Sequence, residues 1–153
     1  MKIAKRTSLT LVILLLVCST QSFSSVKNPR TSVLPNPVLY FIGQDVYETA
    51  GKQFIRYSYD VANKSEYPDD LFAASPDLPP CGNNTKAART WVDIYDQNGK
   101  RLQGFCALGN SSDLGKIWFA LEIDKLPPSY VYIEMNDRKT PVKYKSNLAD
   151  TTL

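Results

Sequence analysis

The chain has no histidine. Ser-His-Asp and Cys-His catalytic sets are therefore excluded within it, because each needs an imidazole to take the proton from the nucleophile. Histidine-ligated zinc is excluded as well, and the few cysteines cannot supply a Cys₄ site after the first of them is set aside. Neither GxxxxGK[ST] nor GxGxxG occurs, so the usual phosphate cradles are missing. The chain also lacks a sustained helical period, a heptad pattern and an internal repeat. No cofactor or metal site is expected from what remains.

What is present begins with an address. Lys2, Lys5 and Arg6 precede the apolar run "LTLVILLLVC", Leu9–Cys18, and small residues follow in "STQSFSS". That order is the order of a secretory signal peptide. The run is about half of the ~20 residues that a spanning helix needs. Residues 1–24 are read as the signal, with cleavage after Ser22 or Ser24. Lipidation of Cys18 would want a small residue before it, and Val17 is not small. Membrane contact is thus expected only during export, to the periplasm or the exterior.

Removing the signal changes the charge. The whole chain carries 18 basic and 15 acidic residues, and the signal takes three bases and no acid with it. The balance of 15 against 15 leaves no basic cluster of the size that holds nucleic acid. About 129 residues remain, the size of one domain.

Residues 25–38, with three prolines, read as a linker or extended edge, 39–148 as the domain, and 149–153 as a tail. In "QFIRYSYDVAN", Ile55, Tyr57, Tyr59 and Val61 alternate with Arg56, Ser58 and Asp60, the pattern of a half-buried strand. "RTWVDIYDQNGKRLQGFCAL" reads as a hairpin around Asn98-Gly99, expected as a two-residue type I′ turn. The implied register sets Trp91 opposite Cys106, Val92 opposite Phe105 and Tyr95 opposite Leu102. Both faces of this hairpin are apolar near its far end, so a cover is expected on the Trp91 face. "VLYFIGQDVY", "KIWFALEI", "SYVYIEMN" and "PVKYKSNL" supply further strands. Short strands between Gly, Pro, Asn and Asp turns predict an all-β fold: one antiparallel sandwich of about seven strands. Trp91 and Trp118 are the aromatics expected in its core.

In "KLPPSYVYIEM", the spacing of Leu126, Pro128 and Tyr132 resembles a fibronectin type III sandwich. The likeness covers about a dozen residues and implies an immunoglobulin-like sandwich. The family continues with apolar residues two and four beyond the tyrosine, where this chain has Glu134 and Asn136. Immunoglobulin domains link their second and sixth strands by disulfide, and Cys81 and Cys106 sit elsewhere.

The long irregular stretch "EYPDDLFAASPDLPPCGNN", Glu66–Asn84, holds four prolines and four acids. Cys81 has no histidine to lower its thiolate pKa. An even pair in an exported chain points to a Cys81–Cys106 disulfide. That bond would fold the stretch over the hairpin, with Leu71, Phe72 and Leu78 on Trp91, Tyr95 and Leu102. The disulfide-tethered loop then presents Tyr67, Asp69, Asp70 and Asp77 as a candidate interaction surface. Asn63, Asn83 and Asn110 head N-x-[ST] triplets, glycan acceptors only in a eukaryotic secretory pathway.

These features favour a non-enzymatic binding or adhesion-type module for an extracytoplasmic protein or glycan. The alternative is an inhibitor of an extracytoplasmic enzyme, wedging the 66–84 loop into it. A third reading is a carboxylate hydrolase built on Asp69, Asp70, Asp77, Asp93 or Asp96.

Overall fold

A computed structural model describes residues 33–81, 87–107 and 109–152. The signal segment, Cys18 and Asn83 lie outside the described residues. The described chain is all-β, with eight strands in two antiparallel sheets. They are β1 (Leu39–Thr49), β2 (Lys52–Val61), β3 (Thr90–Asp96), β4 (Arg101–Ala107), β5 (Ile117–Glu122), β6 (Tyr130–Asp137), β7 (Lys143–Lys145) and β8 (Ala149–Asp150). The first sheet runs β1-β2-β5; the second runs β4-β3-β6-β7, with β8 also on β6. Among the described residues only single 3₁₀ turns are helical.

The alternation in β2 decides its faces as expected. Tyr57, Tyr59 and Val61 are buried, and Ile117 and Phe119 of β5 join them. Val92 and Ile94 of β3 and Val131, Ile133 and Met135 of β6 complete one apolar core between the sheets. Tyr57 and Phe119 stack across β2 and β5 with centroids 5.0 Å apart. The two tryptophans are elsewhere. Trp118 is 39% exposed and Trp91 is half-buried. Each belongs to the outward set of its strand, Trp91 with Asp93 and Tyr95, and Trp118 with Ala120 and Glu122. Large size did not override strand parity.

The hairpin register holds in its far half: Trp91 faces Cys106, Val92 faces Phe105 and Ile94 faces Gln103. Near the turn it shifts, and Tyr95 faces Arg101 instead of Leu102. The turn is not type I′. Gly99 has φ +83° but Asn98 has no positive φ. Gly99 N–H donates to Asp96 O at 3.0 Å and Asp96 N–H to Lys100 O at 2.9 Å. This is a type I turn closed by a left-handed glycine, the three-residue hairpin loop. Asp96 accounts for the difference: its Oδ1 accepts from Asn98 N–H and Lys100 N–H, holding the longer loop.

A two-residue turn with positive φ at both centres does occur, between β1 and β2. Thr49 pairs with Lys52, and Ala50 and Gly51 have φ +52° and +72°. Alanine is strained there, since its Cβ approaches the following carbonyl. Ala50→Asn makes the favoured Asn-Gly pair, and we expect urea unfolding to show a gain of about 0.5–1 kcal/mol. An unchanged or lower midpoint would refute that assignment of strain.

The 66–81 stretch does not cover the Trp91 face. Tyr67, Leu71 and Phe72 enter the core between the sheets, on the side of Val92 and Ile94. Backbone bonds pin it there: Thr90 Oγ1 to Leu71 O, Gly109 N–H to Phe72 O, and Arg89 N–H to Ala73 O. The segment therefore fills the core from within. The expected disulfide is present, joining Cys81 to Cys106 with Cα atoms 6.0 Å apart. Closing a loop of 25 residues stabilises the fold by roughly 3 kcal/mol on the chain-entropy model.

Both flanks of the expected domain take part in it. Pro35 O accepts from Tyr67 Oη at 2.7 Å, and β8 pairs with β6 through Ala149. Between β7 and β8, Ser146 and Ile133 exchange bonds, and the strand then bulges. The bulge turns the Asn147 amide onto β1. Its Oδ1 accepts from Leu39 N–H at 2.8 Å, and its Nδ2 donates to Leu39 O at 2.9 Å. One side chain thus clamps an edge of one sheet to an edge of the other.

Candidate functional site

The loop residues proposed from sequence are largely occupied. Tyr67 is 3% exposed, so it is no part of a surface. It faces inward because its ring packs against Phe72 and Tyr144 while its hydroxyl still finds Pro35 O. Asp70 pairs with Arg89 at 3.2 Å, and Asp77 with Lys139 at 3.3 Å and with Ser75 Oγ. Asp69 is exposed and accepts weakly from Ser111 N–H at 3.3 Å. Asn63 spends its amide on Val38 N–H and Asn36 O, and Asn110 caps the turn at Ser111–Gly115.

The outer face of the second sheet is organised differently. Strand parity brings Trp91, Asp93 and Tyr95 of β3 beside Asn136, Glu134 and Tyr132 of β6. Arg101 and Gly104 of β4 lie on one flank, and Lys143 and Lys145 of β7 on the other. Asp93 is the centre. Its Oδ1 accepts from Arg101 Nε at 2.6 Å and Trp91 Nε1 at 2.7 Å. Its Oδ2 faces Asn136 Nδ2 at 3.5 Å. The Arg101 guanidinium also lies over the Trp91 ring, 5.8 Å from its centroid. Gly104 makes room for this arrangement, since a Cβ there would collide with the guanidinium and with Asp93.

Next along the face, Tyr95 stacks on Tyr132 with centroids 5.3 Å apart. Burial pushes the Tyr95 hydroxyl up, and the negative charges of Asp93 and Glu134 push it further. It is a neutral donor at any physiological pH. Lys145 Nζ sits 4.0 Å from the Tyr132 centroid, and Lys143 is 3.6 Å from Glu134. The surface is therefore a set of interlocked aromatic, cationic and anionic groups on a rigid sheet, in which Trp91 and Tyr95 are half-buried and Tyr132, at 8% exposed, is buried beside Tyr95 and Lys145. Comparison with protein-family models, with curated proteins and with solved structures finds no match.

Sequence reasoning placed Trp91 and Tyr95 on one face but sought a lid for it. It missed Asp93, Arg101 and Lys145 as their partners. Trp91, Asp93 and Arg101 all lie within the hairpin, but which of its faces is outward depends on β6, and nothing in the hairpin alone names β6 as its neighbour.

Proposed function

We propose that the chain is an exported immunoglobulin-like sandwich that acts as a non-enzymatic binding module, and that the outer face of its second sheet contacts a protein partner. The observation that carries this reading is the Trp91–Asp93–Arg101 cluster beside the Tyr95–Tyr132 stack. Trp, Tyr and Arg are the residue types that dominate binding energy at protein interfaces. Here they are held in place before any partner arrives, so little side-chain entropy remains to be lost on docking. Arg101 lies over the Trp91 ring and Tyr132 is buried at 8% exposed, so neither ring offers a free face on which a sugar would stack, which favours a protein over a glycan. Export rests on the N-terminal pattern and agrees with the disulfide. Among the described residues no helix is long and apolar enough to cross a membrane.

A binding role rather than hydrolysis agrees with the missing histidine and with carboxylates already engaged by cations and amides. The inhibitor reading has less support, because the loop's apolar residues are in the core.

Affinity capture from the native exported fraction tests the proposal. Trp91→Ala and Arg101→Ala should each weaken retention of the captured protein about 30-fold or more, the effect of losing a hot spot of about 2 kcal/mol. Asp69→Asn should leave retention unchanged. If Asp69→Asn abolishes capture while the Trp91 and Arg101 variants retain it, the loop is the contact surface and the proposal is wrong.

A further inference from the structure

Asn147 closes one side of the sandwich. On the other side β4 and β5 stand beside each other, each the last strand of its sheet. They do not pair with one another among the described residues, and the 3₁₀ turn Ser111–Gly115 joins them in the chain. A cleft of about 270 Å³ opens there. It is lined by Gln103, Phe105 and Cys106 of β4, by Asp113 of the turn, and by Lys116 and Trp118. That volume lies just below the range of sites for drug-sized molecules, so the cleft suits something smaller.

The turn that carries Asp113 is fixed in place. Leu114 is fully buried in the core, Asn110 Oδ1 accepts from Ser112 N–H at 2.9 Å, and Lys116 N–H donates to Asp113 O at 3.1 Å. Asp113 is thereby held recessed, with 19% of its side-chain surface exposed. Lys116 Nζ lies 3.2 Å from its Oδ1, but the Lys116 side chain is 74% exposed. An ion pair with one long partner in water adds little to stability, so opening it costs little. Lys116 is in effect a tethered ammonium at the rim of a cleft whose walls include two aromatic rings. A free cation with an apolar body can take the same carboxylate and also bury that body against Phe105 and Trp118. Ring faces attract positive charge as well. Lys116, mostly in water, has no such second gain.

We propose that the cleft between β4 and β5 binds a small organic ammonium ion, whose charge displaces Lys116 from Asp113 and whose apolar body lies against Phe105 and Trp118. Lys116 is then an internal competitor that moves into water when the ligand enters. A neutral molecule of the same shape lacks the attraction of Asp113, and an anion is repelled by it. Trp118, 39% exposed in the empty cleft, is covered by the ligand. The proposal does not depend on what docks on the outer face of the second sheet.

Titration of the mature chain with 2-phenylethylammonium, followed by the NMR shifts of amide and indole N–H groups, tests it. The expected Kd is about 1 mM, with the Trp118 indole N–H among the signals that move. 2-Phenylethanol has the same shape without the charge and should bind at least about tenfold more weakly, and phenylacetate not measurably. Asp113→Asn should erase the preference for the cation over the alcohol. Lys116→Gln removes the competitor and should tighten the cation about threefold, a gain that a folding defect would not produce. No shift at Trp118 up to about 10 mM cation, equal binding of cation and alcohol, or an unchanged preference in Asp113→Asn overturns the proposal. So does weaker binding to Lys116→Gln, which would mark the Asp113–Lys116 pair as a clamp for zwitterions.

Discussion

Phe72→Ala should lower the free energy of unfolding by about 3–5 kcal/mol, in the range found for truncating a buried aromatic ring. Phe72 is fully buried in the common core, although it belongs to a segment with almost no strand. Its neighbours in the chain cannot collapse into the space left behind. Thr90 Oγ1 holds Leu71 O, and Gly109 N–H holds Phe72 O. Much of the cavity should therefore persist, which puts the loss at the upper part of the range. Urea unfolding of the oxidised protein measures it. A loss below about 1 kcal/mol would mean that the stretch is an appendage to the sandwich, not part of its interior.

The second large effect depends on pH and centres on Asp137. Burial pushes its carboxyl up, but the Arg89 guanidinium, Thr140 Oγ1 and Lys139 N–H outweigh burial and bring it down from 3.8 to about 2. Arg89 Nε and Nη2 grip the two carboxylate oxygens at 3.0 and 2.8 Å. Because the folded state holds this carboxyl at a lower pKa than the unfolded state does, the pair stabilises the fold fully above about pH 4. That contribution fades as pH falls through the folded value near 2. A shift from 3.8 to about 2 corresponds to about 2 kcal/mol. Asp137→Asn should cost about 3 kcal/mol at neutral pH, since it leaves a partly buried guanidinium without its anion. Its stability should then decline about 2 kcal/mol less than the wild type's between about pH 4 and pH 2. Parallel acid limbs for the two proteins would show that Asp137 is not the group responsible.

Asp137 also shows what sequence alone conceals. Arg89 reaches from Asp137 to Asp70, while Arg138 donates to Pro79 O and Ala88 O and Lys139 pairs with Asp77. The turn after β6 thereby holds the 66–81 stretch, with Arg138 reaching Pro79 across 59 residues and Lys139 reaching Asp77 from still further along the chain. No local pattern announces such pairs. Alternation in β2, β5 and β6 was legible because each strand has one markedly more apolar face. The hairpin was legible as a pair but not as a pair with an inside. Val92 and Ile94 on one side and Trp91 and Tyr95 on the other are both apolar enough to be core. The neighbour strand decides, and that information lies far along the chain, at Tyr132 to Asn136. The disulfide was legible because the choice was small. Turn type was not, because Asp96 selects the longer loop at Asn98-Gly99, while strain is accepted at Ala50. Asn147 gave no signal at all, since a clamp made by one amide depends only on where a bulge points it.

The covalent link between Cys81 and Cys106 has a consequence for the chain under tension. β3, the whole turn after it and β4 as far as Cys106 lie inside the closed ring, whose ends are 25 residues apart in sequence and 6.0 Å apart in space. A pull on the two ends of the domain can straighten everything outside the ring and nothing within it. At ~3.4 Å per residue, about 80 Å of contour stays withheld. In an oxidising compartment the unfolded molecule is a shorter tether than its residue count implies, and reduction lengthens it.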